Sequence, residues 1–597
     1  MPAPTAPLFS SRPALPLRRP RTVLIIGGGV CGIAALRALS DPDEGARSHP
    51  FDKVQLVERR RDVGGVWYLD PAVVASEQSR PLGNAEGEWP VRDASDRPTW
   101  PSPAYPALRG NVLPRFLSLS GAPFPPPAER NPFPTLDETE QYLRSAVRPF
   151  EAGNGAQDQI RTSVEVLSVH ELACAGHAQG WRVALRDWNA GGQEKVEFWD
   201  AVVIATGWYD SPIYPPIPGL LSALSTQRFF HAKWYRSPAP FLPHIEAGRK
   251  IVVVGNGNSA NDAASHLAPH SSVARPVYRS ILQAQLPVFV SLPDERIKDV
   301  PSIKEVKVEG ERIDLLLADD QLLEDCVVLL GVGYEVGTIP WVHLLKSESA
   351  STDSIDNIKA SQYLSLTPRA RINPASTTNV LDETSTTAPT PSGALPTIQG
   401  SDSDVSRDTA QWPPRVPNLH HQVLHGINPT LAFSGLPVSN TPFVLADMQM
   451  RYTRGVWDGS ISLPSSRAGR TLDERRRIQV LEERKPQYAS MDLALRADWE
   501  KGRAQGLAEA LRLAAPPSFG QPLYHMLPGL HADELEYAQH LRQEVIKAKP
   551  WLDPLLDKWD AARDAARQGM YNVKFISLVK AKLATLDASQ RSADPRL

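Results

Sequence analysis

A chain of 597 residues exceeds the roughly 250–300 at which a single core stops growing, so two or three domains are expected. Lys plus Arg number 64 against 67 Asp plus Glu, a formal charge of −3, which excludes a global basic field of the kind that draws nucleic acid or an acidic membrane surface. The three cysteines, Cys31, Cys174 and Cys326, match no metal spacing and no C-x-x-C pair; structural zinc and a dithiol electron relay are excluded, and a reducing, cytoplasmic compartment is expected.

No run approaches the ~18 apolar residues of a membrane span. Residues 1–21 are rich in Pro and Arg and contain no acid; the prolines oppose a presequence helix, and a disordered arm is expected there. The C-terminal Pro595-Arg596-Leu597 resembles a peroxisomal address only loosely.

The first strong pattern follows the arm. An apolar run, Val23 to Ile26, feeds Gly27-x-Gly29-x-x-Gly32, after which Ile33, Ala34, Leu36 and Leu39 recur at helical spacing. This strand-turn-helix order is a dinucleotide fingerprint: Gly27 for the tight turn, Gly29 for approach to a pyrophosphate, Gly32 for helix–strand packing. Val54 to Val57 predicts the next strand, ending in Glu58, an acid placed to bond a ribose hydroxyl. Gly64-Gly65-Val66-Trp67 comes next, where adjacent glycines permit close approach and Trp67 either stacks on a flat ring or fills core.

Residues 70–134 are proline-rich and aperiodic, and Thr135-Leu-Asp-Glu138 opens a helix with a capping box, carried by Leu136, Tyr142, Leu143 and Val147. Val164 to Val169 and Trp181 to Leu185 predict meander strands. Ala201 to Ala205 predicts a buried strand that brings Thr206 and Gly207 back to the nucleotide edge.

A second fingerprint lies at Lys250 to Val254 and Gly255-x-Gly257-x-x-Ala260, with Ser259, Asn261 and Asp262 opening its helix. The strand predicted after it, Ala274 to Tyr278, ends in Arg279 rather than an acid. An arginine there suits a 2′-phosphate, which assigns NADPH to this copy and FAD to the copy with Glu58. Cys326 to Leu330 followed by Gly331 and Gly333 repeats the returning strand, and Pro429 to Pro437 predicts a last strand before a helix with Ala446, Met450 and Val456, ending near Gly459.

The expected fold class is α/β, with two Rossmann-like dinucleotide-binding domains (FAD and NADP) and a helical C-terminal extension. The FAD domain spans 22–212 and 415–470 and the NADPH domain 213–345. Residues 346–414, dense in Ser, Thr, Pro and Asp, are expected to be mostly a flexible insertion. The charged helical pattern at 471–597 either covers a site or forms a homodimer contact.

These motifs together resemble the class B flavin-dependent monooxygenases, closest to the flavin-containing, N- or S-oxygenating branch in its fungal form. The resemblance rests on Gly27 to Gly32, Gly64-Gly65-x-Trp67, the Leu108-x-x-Asn111 to Phe124-Pro125 segment, Gly255 to Ala260, and Gly333-Tyr334. It spans roughly 22–345 and 415–470. The family signature F-x-G-x-x-x-H-x-x-x-Y keeps its second half as His231 to Tyr235, with Ser225 and Gln227 replacing Phe and Gly. The terminal tyrosine favours heteroatom oxygenation; Trp234 keeps a Baeyer–Villiger reading open.

The resemblance implies an N,N-dimethylaniline monooxygenase-like enzyme in which NADPH reduces FAD, and O2 adds to form a C4a-hydroperoxyflavin that oxygenates a small-molecule thiol, thioether or amine. It implies Asn111 as the hydrogen-bond donor to the oxygen adduct, with His231 and Tyr235 shaping the inter-domain linker and the NADP site. No acid/base dyad is needed, because the cofactors carry the chemistry.

Overall fold

The computed structural model describes residues 17–41, 49–71, 91–92, 97–128, 131–151, 159–172, 180–210, 212–215, 217–282, 292–334, 339–345, 363–366, 416–478 and 532–585. Residues 1–16 of the expected N-terminal arm lie outside them. Its end does not: Leu17 packs against the first core, and the backbone N–H groups of Arg21 and Thr22 donate to Asp200 Oδ2 at 2.8 and 3.0 Å.

The first sheet is built on Thr22–Ile26 (β1), a run of β-branched and leucine residues without alternation, buried from Val23 onward as a central parallel strand must be. Helix Val30–Ser40 (α1) follows, then Lys53–Glu58 (β2) in parallel register, Thr22 opposite Lys53 and Ile26 opposite Val57. Helix Leu136–Val147 (α2) carries both halves of the expected capping box between Thr135 and Glu138. Ile160–Thr162 (β3) pairs beyond β2.

A meander of Val164–Leu172 (β4), Gly180–Asp187 (β5) and Gln193–Trp199 (β6) leads into Ala201–Ile204 (β7), which runs parallel to β1 on its other side. The meander has one strand more than the sequence pattern foretold, because β6 is an edge strand exposed along most of its length, with no buried apolar run to mark it.

The second sheet uses Phe229–His231 (β8), Lys250–Val254 (β9), Val277–Ser280 (β10) and Ile297–Val300 (β11), with Asn258–Leu267 (α3) after β9. Ile303–Glu309 (β12), Arg312–Leu317 (β13) and Leu322–Leu323 (β14) form an antiparallel sheet that packs its apolar side chains into the same core. Cys326–Leu330 (β15) then enters between β8 and β9, giving the all-parallel order β8-β15-β9-β10-β11.

Val342–Leu345 (β16) and Tyr363–Ser365 (β17) add to the edge of the meander, His343 opposite Ser365. Of the segment 346–414, expected to be mostly a flexible insertion, residues 363–366 are described, with Tyr363–Ser365 in the sheet; 346–362 and 367–414 lie outside the described residues.

The chain returns to the first sheet through Leu419–His420 (β18), Leu424–His425 (β19) and Leu431–Phe433 (β20), completing the order β18-β19-β20-β7-β1-β2-β3. Helix Pro442–Asp458 (α4) packs along α1 and ends at Gly459 with φ +81°. Its Arg454 donates to the carbonyl of Ala38 at 2.8 Å, so a cation closes the C-terminal end of α1. Ala532–Ala548 (α5) and Ala561–Thr585 (α6) are helical as the extension predicts, and residues 479–531 of it lie outside the described residues.

The tightest point of the first unit is Gly32. A Cβ there would overlap the Gly27 carbonyl and press on Leu56. Gly32→Ala is expected to lower stability by about 2 kcal/mol or more, seen as a fall in the urea midpoint; a midpoint within error of the parent would show that α1 can shift without cost.

Candidate functional site

At the C-terminal end of β1, Gly27 sits at φ +110°, a conformation L side chains rarely adopt, and a Cβ on it would overlap the Ala205 carbonyl at the end of β7. Gly29 caps α1 with φ −74° and ψ −177°, offers no capping side chain, and no acid occupies the first turn of the helix. The helix N-terminus is thus open to an anion. Gly65 is buried against it, and a Cβ on Gly65 would lie 2.6 Å from Gly29 Cα, so the second glycine pair closes the wall of the turn.

Glu58 lies at the end of β2, 5% exposed, accepting from Gly28 N at 2.6 Å and Arg60 N at 2.8 Å. Each oxygen takes one backbone N–H, which fixes the carboxylate at the rim with a further lone pair on each oxygen. Trp67 stands edge-on to Phe443 at 6.4 Å and packs against the first core, half buried. Thr206 and Gly207 are exposed at the end of β7. The structure brings Gly27, Gly29, Glu58, Gly65 and the β7 end together at one sheet edge.

The second turn repeats the first in detail. Gly255 has φ +111° and its Cβ would overlap the Gly331 carbonyl at the end of β15, while Gly257 caps α3 at φ −75° and ψ 177°, again with no capping side chain and no acid in the first turn. Ser259 is exposed on that turn, and Asn261 is buried, its amide nitrogen donating to the Asn256 carbonyl at 3.0 Å.

Arg279 lies inside β10 rather than just after it. It forms a two-pronged pair with Asp299 of the adjacent strand at 2.8 and 3.1 Å and donates to Asn261 Oδ1 at 2.7 Å. The guanidinium is thus anchored between α3 and β11, its charge matched by Asp299.

Between the two turns runs a connection that sequence reading did not anticipate. Lys233, with a side chain 1% exposed, donates to the Asp210 carbonyl at 2.5 Å and approaches its carboxylate at 3.3 Å, while Arg59 reaches the same carboxylate at 2.7 Å. Burial alone would raise the Asp210 pKa, but Arg59 and Lys233 hold it well below the usual carboxylate range. Burial pulls Lys233 down to about 7.

On the other side, Tyr105 donates to Asp262 of α3 at 2.5 Å and stands edge-on to Tyr235, and Arg236 bonds the Ser102 carbonyl at 2.9 Å. His231 is 1% exposed, with Nδ1 accepting from Lys233 N at 3.1 Å and Nε2 facing the Gly333 carbonyl at 3.0 Å. The network assigns the proton to Nε2. Tyr235 is buried, 3.2 Å from His266 Nδ1. Both residues sit in this connection between the sheets.

Asn111 is exposed on the turn that follows Gly110, and among the described residues no hydrogen bond engages its amide. The turn is held from beneath by α6: Lys574 Nζ donates to the Gly110 carbonyl at 3.0 Å, Met570 Sδ accepts from Leu113 N, and Arg115 bonds the Ala566 carbonyl. The described part of the extension therefore packs beneath this turn and leaves Asn111 exposed.

The pyridine nucleotide-disulphide oxidoreductase family matches residues 21–339, more than half of the chain. The chain belongs to that family. Among curated relatives, the flavin-containing monooxygenase FMO GS-OX-like 9 of Arabidopsis thaliana is 31% identical over 264 residues, 44% of this chain and 51% of the relative. FMO GS-OX2 of the same plant is 28% identical over 279 residues, 46% and 52%. The chain spans about half the length of the curated relatives it matches.

The fold is shared with the S-allyl-L-cysteine S-oxygenase of Allium sativum, at 20% identity and TM-score 0.53 over 92% of this chain and 97% of that one. It is also shared with Tmm of Pelagibacter sp. strain HTCC7211, at 16% identity and TM-score 0.52 over 89% and 91%.

FAD and NADPH are the cofactors of such flavoproteins. The two uncapped, acid-free helix starts, each behind a glycine that no Cβ could replace, fit the pyrophosphates of two dinucleotides. Among the described residues no thiol pair supplies the disulfide chemistry of the family's name: Cys31 lies in helix α1, over the first sheet, Cys326 lies in β15 of the second, and burial raises each to about 12. Cys174 lies outside the described residues.

Burial lowers the His231 pKa to about 4 from 6.5. As pH falls through 6.5 the unfolded chain takes up a proton that the folded chain refuses until about 4, so stability present above 6.5 is lost across that window. The loss assigned to His231 is up to about 3 kcal/mol, and His231→Gln should flatten the fall in urea midpoint between pH 6.5 and 4. An unchanged slope would place the titration elsewhere.

Proposed function

We propose that this chain is an NADPH-dependent flavin monooxygenase that inserts one oxygen atom of O2 into a sulfur or nitrogen of a small molecule. The observation that carries the reading is the duplicated glycine turn, open at both helix starts, in a chain whose curated relatives are flavin-containing monooxygenases. The domain division follows from it: FAD on 22–212 with 415–470, and NADPH on 213–345. FAD, when bound, would supply hydride acceptance from NADPH and the activation of O2; the protein binds, orients and shields.

In this reading the α1 start and Gly29 hold the FAD pyrophosphate, Glu58 takes a ribose hydroxyl, and Gly65 and Trp67 close the flavin side. Thr206 and Gly207 border the nucleotide. Gly255, Gly257 and Ser259 seat the NADPH pyrophosphate, with Arg279 and Asn261 at the 2′-phosphate end. His231 and Tyr235 keep the two halves in register. Asn111 presents an uncommitted amide, which donates a hydrogen bond to the activated oxygen without giving up a proton; a neutral donor suits a species that protonation would discharge.

A second reading, oxygen insertion beside a ketone, rests on Trp234 one position before Tyr235. Comparing a thioether with a cyclic ketone separates the two by which substrate is oxygenated.

Asn111→Ala is expected to retain yellow colour and NADPH oxidation while product yield falls about tenfold or more and hydrogen peroxide rises to match. Coupled turnover at the parent's yield would remove Asn111 from the mechanism. Arg279→Ala is expected to raise KM for NADPH about tenfold, as loss of a charged hydrogen bond worth roughly 1.5 kcal/mol does, with little change for NADH. An equal rise for both would show that Arg279 only ties α3 to β11.

A further inference from the structure

Outside the two nucleotide turns, three histidines and an aspartate converge where α5 meets the turn between β18 and β19. His421 Nδ1 lies 2.6 Å from Asp473 Oδ2, and His421 Nε2 lies 3.3 Å from His540 Nε2 of α5. The donor atoms of His420, His421 and Asp473 lie within 4.8 Å of one another.

The roles of the rings can be read from their partners. His420 Nδ1 faces the Arg470 carbonyl at 3.0 Å, so that nitrogen carries the proton, and its Nε2 faces Tyr452 Oη at 3.1 Å. His420 is committed at both ends and its ring lies tilted at 43° against His421, with centroids 4.0 Å apart. His421 donates from Nδ1 to Asp473, which leaves the lone pair of Nε2 pointing at His540.

We propose that His421 Nε2 and His540 Nε2 bind a divalent transition metal, with Asp473 orienting His421 from behind and Glu544 completing the donor set. Three features support this. First, two ligands at about 2.05 Å on a tetrahedral ion stand about 3.3 Å apart, the separation seen. Second, Asp473 on the far nitrogen is the carboxylate–histidine arrangement that fixes ring orientation and raises the basicity of a metal-bound imidazole. Third, Glu544 follows His540 by four residues on α5 and so shares its face, making two imidazoles and a carboxylate, a donor set for Zn, Co, Ni or Fe(II).

The backbone is arranged around the same ring. His421 and Gln422 have φ +48° and +52°, two consecutive non-glycine residues in the left-handed region, a costly conformation that persists where the surroundings demand it. Tyr537 of α5 donates to the His421 carbonyl at 2.7 Å and accepts from Gln449, whose Oε1 takes the N–H of Gly435. Gly435 packs on Cys31 at the start of α1. An ion at His421 and His540 would clamp α5 onto the first domain and stiffen a hydrogen-bonded path that ends beside the first glycine turn.

The test is titration of the full-length, chelator-treated FAD holoenzyme with Zn2+ by calorimetry and with Co2+ by its visible ligand-field absorption. One equivalent per chain is expected, with a rise in Tm on saturation. His540→Ala, on a helix face, should weaken binding at least tenfold; Asp473→Asn should weaken it about 10–100-fold, as loss of a carboxylate behind a ligating histidine does; Glu544→Gln should weaken it less; His270→Ala, an exposed control, should not. Circular dichroism verifies that each variant is folded. No saturable uptake, or uptake that His540→Ala leaves unchanged, would overturn the site.

Discussion

Two steric coincidences of the same kind organise the molecule. In each, a parallel strand delivers its last residue to a glycine near φ +110° whose missing Cβ makes room for a carbonyl from the neighbouring strand, Ala205 for Gly27 and Gly331 for Gly255. The close approach lets the next helix start directly over the sheet edge, with its first N–H groups aimed outward and its cap left bare. Filling either space would separate helix from sheet and bury the N-terminus in the gap. The anion seat follows from backbone packing, and only then from the residues that line it.

The two copies differ at the third small residue. Gly32 is forced by the Gly27 carbonyl, whereas Ala260 stands in the corresponding place and rests its Cβ against Gly331. A methyl group is tolerated there because the second turn is bounded by a glycine on the returning strand and the first by Ala205. The same compensation explains why Leu330-Gly331-Val332-Gly333 replaces the Ala-Thr-Gly pattern of Ala205 to Gly207 without altering the turn.

What was legible from the chain alone were features whose cause is local: apolar runs of strand length, glycines at fixed offsets, the Thr135/Glu138 capping box. Glu58 was legible because its position is set by the end of β2. Arg279 was legible as a cation near a strand end, yet its pairing with Asp299 was not, since two side chains on adjacent parallel strands carry no shared sequence period. Lys233 with Asp210, Tyr105 with Asp262 and His421 with His540 were invisible for the same reason. Their partners lie 23, 157 and 119 residues apart and meet only after both sheets have closed. The strand at Tyr363–Ser365 was hidden by surroundings rich in Ser and Pro, where three residues are too few for a period to register.

The family match ends at residue 339, but the first core does not. Ala538, Leu541 and Val545 of α5, then Leu552, Leu556 and Trp559, are buried in the same cluster as α1 and α4. Their spacing along α5 is three and four residues, one continuous stripe. Burying such a stripe stabilises the first domain by about 1.5–3 kcal/mol per large side chain, so the described extension is part of that domain's stability and not an appendage to it. From there α6 continues to the Asn111 turn, where Lys574 meets the Gly110 carbonyl beneath the exposed amide. A segment outside the family match thus reaches the turn proposed to meet the activated oxygen, and the placing of that turn depends on residues that the glycine fingerprints say nothing about.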